Sequence, residues 1–461
     1  MTVTSTAGPA LARSPQEAAR EANAHIGAWV AGLRWDDVPG RVRERVRLVL
    51  LDSLGVCLVG SRQTEQQSLL QSWRPESGPS PVVGGRMLAA PEPAVWLNAA
   101  ATVRLELDEG NKYARGHPAA HGWPAVLALA ADDDCPGPVL MAALLASYEV
   151  AARYGRAARL RPGAHPHGSW GVAGAAAGCA RVLGLDEEQT AAAVDTGAGM
   201  PIAGHFASAL DGNPVRDAWI SASNLSGLAA ARMAKAGVAR NTGTAAGSLG
   251  DLLGELDATV LDDGLGDRWD VELGYFKRHA SCSFTHPAAD VALTLRERLS
   301  ASSPHDVEEV VVETHSLGAG LSRTTWDTRL GAMFSTPFVV AAALVHGHVD
   351  PTVSDDEHID DATVRALAQR VRVVQSDDLD ARLPHERAAR VRIRVSGDWL
   401  EAETPNPVGD TAYHPFGRAE VVALLRRLLG DEEAVGALES LVDGLPTCEA
   451  ATEHLQRLAW L

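Results

Sequence analysis

Apolar residues recur at three- and four-residue intervals through most of the first half of the chain. Val42, Val46, Val49, Leu50 and Leu54 form one such stripe, and Val139, Ala142, Leu145, Val150 and Ala151 form another. Each is the pattern of a helix with one buried face. Runs rich in Ala and Gly follow at 171–184, 187–200 and 219–237. Small residues let helix axes approach closely, so this half predicts a compact bundle. The spacing Gly171, Gly174, Gly178 fits tight helix packing, and without GxGxxG order or a preceding strand it is not a dinucleotide site.

The period changes near Gly274. Residues 307–314 (VEEVVVET), 370–375 and 389–396 (ARVRIRVS) alternate apolar and polar positions, as half-buried strands do. Helical stretches at 287–299 and 336–346 lie between them, and helical patterning returns at 419–429 and 432–441. The expected fold class is mainly α with a smaller α+β domain. The expected division is a flexible arm over 1–24, an all-helical domain over 25–272, a smaller α+β domain over 273–408, and C-terminal helices over 409–461 that pack back on the helical domain.

Composition narrows the function. The chain has 461 residues, 46% hydrophobic and 22% charged, as a globular protein does. Acidic residues outnumber basic ones 59 to 41, for a net charge of −18, which argues against nucleic acid and anionic lipid as partners. No window carries about 18 uninterrupted apolar residues, so no membrane span is expected. No basic segment followed by an apolar run opens the sequence, so no signal peptide is expected. The five cysteines, Cys57, Cys135, Cys179, Cys282 and Cys448, are scattered without a CxxC pair, the usage of a reduced cytoplasmic protein. Only three of the basic residues are lysines, Lys112, Lys235 and Lys277, so a lysine within an apolar stretch draws attention.

Four polar clusters interrupt apolar sequence. Glu106-Leu107-Asp108-Glu109 precedes His117-Pro118, an arrangement that can supply an acid/base pair; the structural alternative is a solvated helix end with a capping carboxylate. Residues 163–171 (GAHPHGSWG) place His165 and His167 before an apolar helix, whose N–H groups can hold an anion. Residues 275–287 carry Lys277, His279, Cys282 and His286, and Phe334-Ser335 opens a further helix. His279, Cys282 and His286 have ligand-like spacing, but no HExxH or second Cys pair accompanies them and the prolines suit helix starts, so no metal is expected. No GxSxG elbow marks a serine nucleophile, and Cys282 would need a low thiol pKa to act as one.

In order along the chain, these segments resemble the MmgE/PrpD family, which includes 2-methylcitrate dehydratases, cis-aconitate decarboxylases and iminodisuccinate epimerases. Leu51 through Val56 is similar to the family's LDxLG helix, Asn98 through Glu109 to its N…LDFDD segment, and His117-Pro118 to the HPS that follows. Tyr148-Glu149-Val150, Gly163 through Gly171, Lys277 through Asp290, and Phe334-Ser335 are similar to YEV, GxHPTGTxG, KPYPxCxxTHPxxDA and KFSLPY. The resemblance implies a helical domain joined to a smaller α+β domain, a homodimer, no cofactor, and a pocket between the domains for small carboxylates. It places catalytic roles on His117, His165, Lys277, Asp108 and Glu106, and substrate contacts on Arg216, Trp170, Trp219, His279, Cys282 and Phe338.

Several positions depart from the pattern: Glu106 for aspartate, Gly110 for threonine, Arg216 for lysine, Trp219 for histidine, and Phe338 for tyrosine. Gly110 and Phe338 remove hydroxyls while the tryptophans add apolar surface, so a substrate bulkier or less charged than methylcitrate is expected. The implied reaction is a cofactor-independent lyase of dehydratase type, passing through an enolate-like carbanion. His117 and His165 would move protons, with Lys277 and Arg216 binding carboxylate. Decarboxylation, isomerisation or epimerisation would use the same groups. A metal-dependent hydrolase and a non-catalytic acid-binding protein are the rivals from other classes.

Overall fold

The computed structural model describes residues 13–299 and 304–461. The first twelve residues of the expected arm lie outside the described residues. Residues 15–24 are not loose: they begin a helix, Pro15–Gly32. Ser14 and Glu17 close a capping box around Pro15 at the first helical position. Ala19, Ala22, Ile26 and Val30 bury one face, which packs on the helix Glu187–Ala198.

The stripes of the first half form the helices Gly40–Ser61, Pro91–Val103, Pro118–Asp132, Gly137–Ala157, Gly171–Val182 and Val215–Lys235. Gly171–Val182 is central, packed against 118–132, 137–157, 187–198 and 215–235. A Cβ on Gly174 would lie 2.5 Å from the Ala151 Cβ and the Ser147 carbonyl, so glycine sets how near the 137–157 helix can come. Pro124, inside its helix, lacks the N–H that the Ala120 carbonyl would accept. Asn224 replaces it, donating to Ala120 at 2.9 Å.

The expectation of an all-helical domain is corrected by short antiparallel pairs. Ser80–Val82 pairs with Met87–Ala89, and Ala158–Leu160 with Gly254–Leu256. Gly110–Asn111 pairs with Gly274–Tyr275, which ties the acidic segment to the start of the second domain.

That domain is built on a four-stranded sheet in the order Asp398–Thr404, Ala389–Val395, Val307–Thr314, Val371–Gln375, with only the last pair parallel. Val310, Val312, Val391 and Ile393 bury one face in a core shared with the helices His286–Arg298 and Thr336–His346. The alternate positions Arg390 and Arg394 pair across strands with Glu313 at 2.7 Å and Glu308 at 3.0 Å. The helices Arg418–Leu429 and Glu432–Gly444 return to pack on Gly40–Ser61, where Leu425 fills the space a Cβ of Gly55 would need. Among the described residues, no helix is long and apolar enough to cross a membrane.

Candidate active site between the domains

Pro118 at the first turn fixes where the 118–132 helix begins, leaving His117 as its N-cap. The Glu109 carboxyl caps it, accepting from the Ala119 N–H at 2.8 Å and from the Tyr148 hydroxyl at 3.1 Å. The expected capping carboxylate therefore exists, but it is buried, not solvated. Burial pushes its pKa up to about 8. Folded Glu109 then keeps its proton to about pH 8, whereas the unfolded chain loses it near 4.5. Between these values the folded state holds the extra proton, so this group lowers stability as pH rises through the window, with no further change above it. Glu109→Gln keeps both hydrogen bonds without the charge. Its melting temperature minus that of the wild type should rise from about pH 4.5 to 8 and then level, a gain on the order of a few kcal/mol. A flat difference would remove Glu109 as a buried acid.

Next along the same loop, Glu106 adopts a left-handed backbone with φ 53°, uncommon for a side chain with a Cβ. Glu106 and Asp108 are buried and hold Lys277, whose Nζ lies 3.3 Å from Glu106 Oε2 and 3.2 Å from Asp108 Oδ1. Arg216, from the first turn of its helix, contacts Glu106 at 2.5 Å and Asp217 at 3.2 Å, and Arg104 contacts Asp217 at 2.9 Å. Burial alone would lower the Lys277 pKa, but Asp108 and Glu106 hold it above its ordinary value. Burial would likewise raise Asp108, but the charges of Lys277 and Arg216 hold it low and ionised.

In front of this cluster lies a cavity of about 320 Å³ between the domains. Glu106, His117, His165, His167 and Phe206 line it from the helical domain, and Tyr275, Cys282, Phe284, Phe334 and Arg387 from the smaller one. His117 Nδ1 donates to the Glu109 carbonyl at 2.7 Å, with Asp108 Oδ2 3.0 Å from the same nitrogen. A carbonyl can only accept, so the proton sits on Nδ1 and Nε2 carries a lone pair. His165 is the converse: its Nδ1 accepts from the His167 N–H at 3.1 Å, so Nε2 carries the proton, and no group among the described residues pairs with it. Burial pushes the pKa of His117, His165 and His167 below the usual histidine value, with Arg216 adding to the effect on the last two. All three imidazoles are neutral at pH 7. His121, behind them, is fully hydrogen-bonded and pushed down to about 4 by burial.

The expected residues thus separate into two sets. Glu106, His117, His165 and Cys282 reach the cavity wall. Burial raises the Cys282 thiol to about 12, so it is a neutral wall group and not a nucleophile. Asp108, Lys277 and Arg216 lie behind the wall, where the two cations contact Glu106 and Asp108. Trp170 and Trp219 back the histidines, with ring centroids 4.6 Å from His121 and 5.3 Å from His165. His279 is held by Asp290 at 3.0 Å. Phe338 is a correction: it packs in the sheet's core, 4.8 Å from the Trp326 ring, and Phe334, four residues earlier, takes the wall position. At Gly110 a Cβ would overlap the Tyr275 hydroxyl, which lies on the paired strand. Sequence reasoning assigned no role to His167, Tyr275, Lys112 or Arg387. His167 stood in a cluster already singled out, and Lys112 was one of the three lysines.

The MmgE/PrpD N-terminal domain model matches residues 24–250 and the C-terminal domain model residues 279–436. Among curated proteins, the chain is 24% identical to the cis-aconitate decarboxylase-like protein oryM of Aspergillus oryzae, over 94% of this chain and 96% of that protein. It is also 24% identical to the cis-aconitate decarboxylase of Aspergillus terreus, over 90% and 91% of the two chains. Two domain models in order, spanning both halves of the cleft that carries the histidines, make this chain a member of the MmgE/PrpD family.

Proposed function

We propose that the protein is a cofactor-independent lyase acting on a carboxylic acid through an enolate-like carbanion, with dehydration as the reaction type. The observation that carries this reading is the pair of opposite tautomers at His117 and His165. His117 presents a lone pair where a carbon-bound proton can be taken, and Asp108 beside its Nδ1 stabilises the imidazolium that results. His165 presents an N–H that can hydrogen-bond the departing hydroxyl or the developing oxyanion as a neutral imidazole. The names of the relatives support decarboxylation on the same groups, in which carbon dioxide leaves first and the carbanion is then protonated. A neutral base already poised favours proton abstraction. The wall is rich in aromatic residues, in keeping with a substrate bulkier or less charged than methylcitrate. The reading includes a cytoplasmic homodimer, for which the five unpaired cysteines and the family are the support.

The test is mass spectrometry of the protein incubated with 2-methylcitrate, cis-aconitate and β-hydroxy acids carrying larger side chains. Loss of water is expected from the last group, unaffected by a strong chelator. Loss of carbon dioxide would establish the decarboxylase reading. Neither loss, with no deuterium uptake from heavy water, would overturn both.

A further inference from the structure

The two ends of the cavity differ in charge. Behind His117, Glu106, Asp108 and Asp217 contact Lys277, Arg216 and Arg104, so every cation is answered by a carboxylate. At the other end Lys112 and Arg387 both line the cavity, and among the described residues both depend on one carboxylate, Asp410, at 3.0 Å and 3.3 Å. Arg387 is only 4% exposed and its Nε makes no hydrogen bond among the described residues. Its guanidinium lies 4.1 Å from the centre of the Tyr275 ring, which restricts its motion. A buried cation that is half-neutralised, held in place, and left with an idle donor is an anion site. Between the two ends the wall carries Phe206, Phe284, Phe334 and, at the half-exposed rim, Leu317; Arg115, a third lining cation, is exposed.

We infer that Arg387, with Lys112, binds the carboxylate of the substrate, and that the substrate is a monocarboxylic acid whose remainder is an alkyl or aryl group lying on the phenylalanine wall. The inference rests on the carboxylic-acid reading of this cavity and adds which end holds the acid and what fills the other. A second carboxylate inside the cavity would meet either aromatic rings or a cluster already neutral and would be desolvated without a partner, because Arg115, the third lining cation, is exposed.

Calorimetric binding of octanoate, octanamide and tricarballylate tests this without turnover, since none carries a leaving hydroxyl. Octanoate is expected to bind the wild type about 10-fold or more tighter than either of the others, the range of a charged hydrogen bond. Arg387→Gln should bring octanoate and octanamide within about 2-fold of each other. Leu317→Asp, at the rim and independent of the buried pair, should weaken octanoate several-fold if Arg387→Gln does not fold. Tighter binding of tricarballylate, or equal binding of octanoate and octanamide by the wild type, overturns the inference. If octanoate behaves as expected and no acid is turned over, the anion site stands and the lyase reading falls.

Discussion

His117→Asn is expected to abolish turnover while leaving the fold intact. The Asn amide can still donate to the Glu109 carbonyl, as Nδ1 does at 2.7 Å, but no lone pair remains where Nε2 stands. Removing a positioned base costs about 10²–10⁴ in rate. Deuterium uptake by substrate should fall by the same factor, with the melting temperature nearly unchanged. Because burial holds the His117 pKa below the ordinary histidine value, the wild-type rate should stay flat from neutral pH to below pH 6.5 and then drop as the ring protonates. A variant that exchanges substrate protons at the wild-type rate would remove His117 as the base.

Lys277→Met should unfold the protein more readily than any surface change. It leaves Asp108 and Glu106 buried with less counter-charge, and breaking a buried ion pair by removing one partner costs about 3–5 kcal/mol. Asp108→Asn combined with Lys277→Met should cost less than the sum of the single changes, because the stranded charge is then gone. Chemical denaturation of the four proteins measures this cycle. If Lys277 instead met the substrate, Lys277→Met would raise KM at constant stability and the cycle would be additive.

Much of the architecture could be read from periodicity, and the failures have physical causes. Residues 307–314 and 389–395 alternate because one sheet face meets helices and the other meets water. The strand Asp398–Thr404 escaped notice because it is an edge, exposed along most of its length. The helix at 15–32 is legible in its Ser14–Glu17 capping box, but its small polar residues suit an arm equally well. At the site, the acids and histidines were found because they cluster in sequence. Arg387 was not, since its partners Asp410, Lys112 and Tyr275 come from three separate segments. Phe338 shows the limit of alignment with a motif. A buried aromatic on the correct helix can belong to a core or to a cavity, and only the turn of the chain at Ser335, whose hydroxyl caps that helix, decides which.

The pairing of Glu106 and Asp108 with a lysine 171 and 169 residues later has a consequence for how the molecule is made. A growing chain completes its helical half first. At that stage Asp108 lacks Lys277, one of the charges that hold it ionised, and retains a proton more readily. Arrival of the second half, stitched on by the strand pair at Gly110 and Tyr275, supplies the ammonium that favours the ionised form. A chain truncated before Lys277 therefore carries the histidines without the ammonium that contacts Asp108.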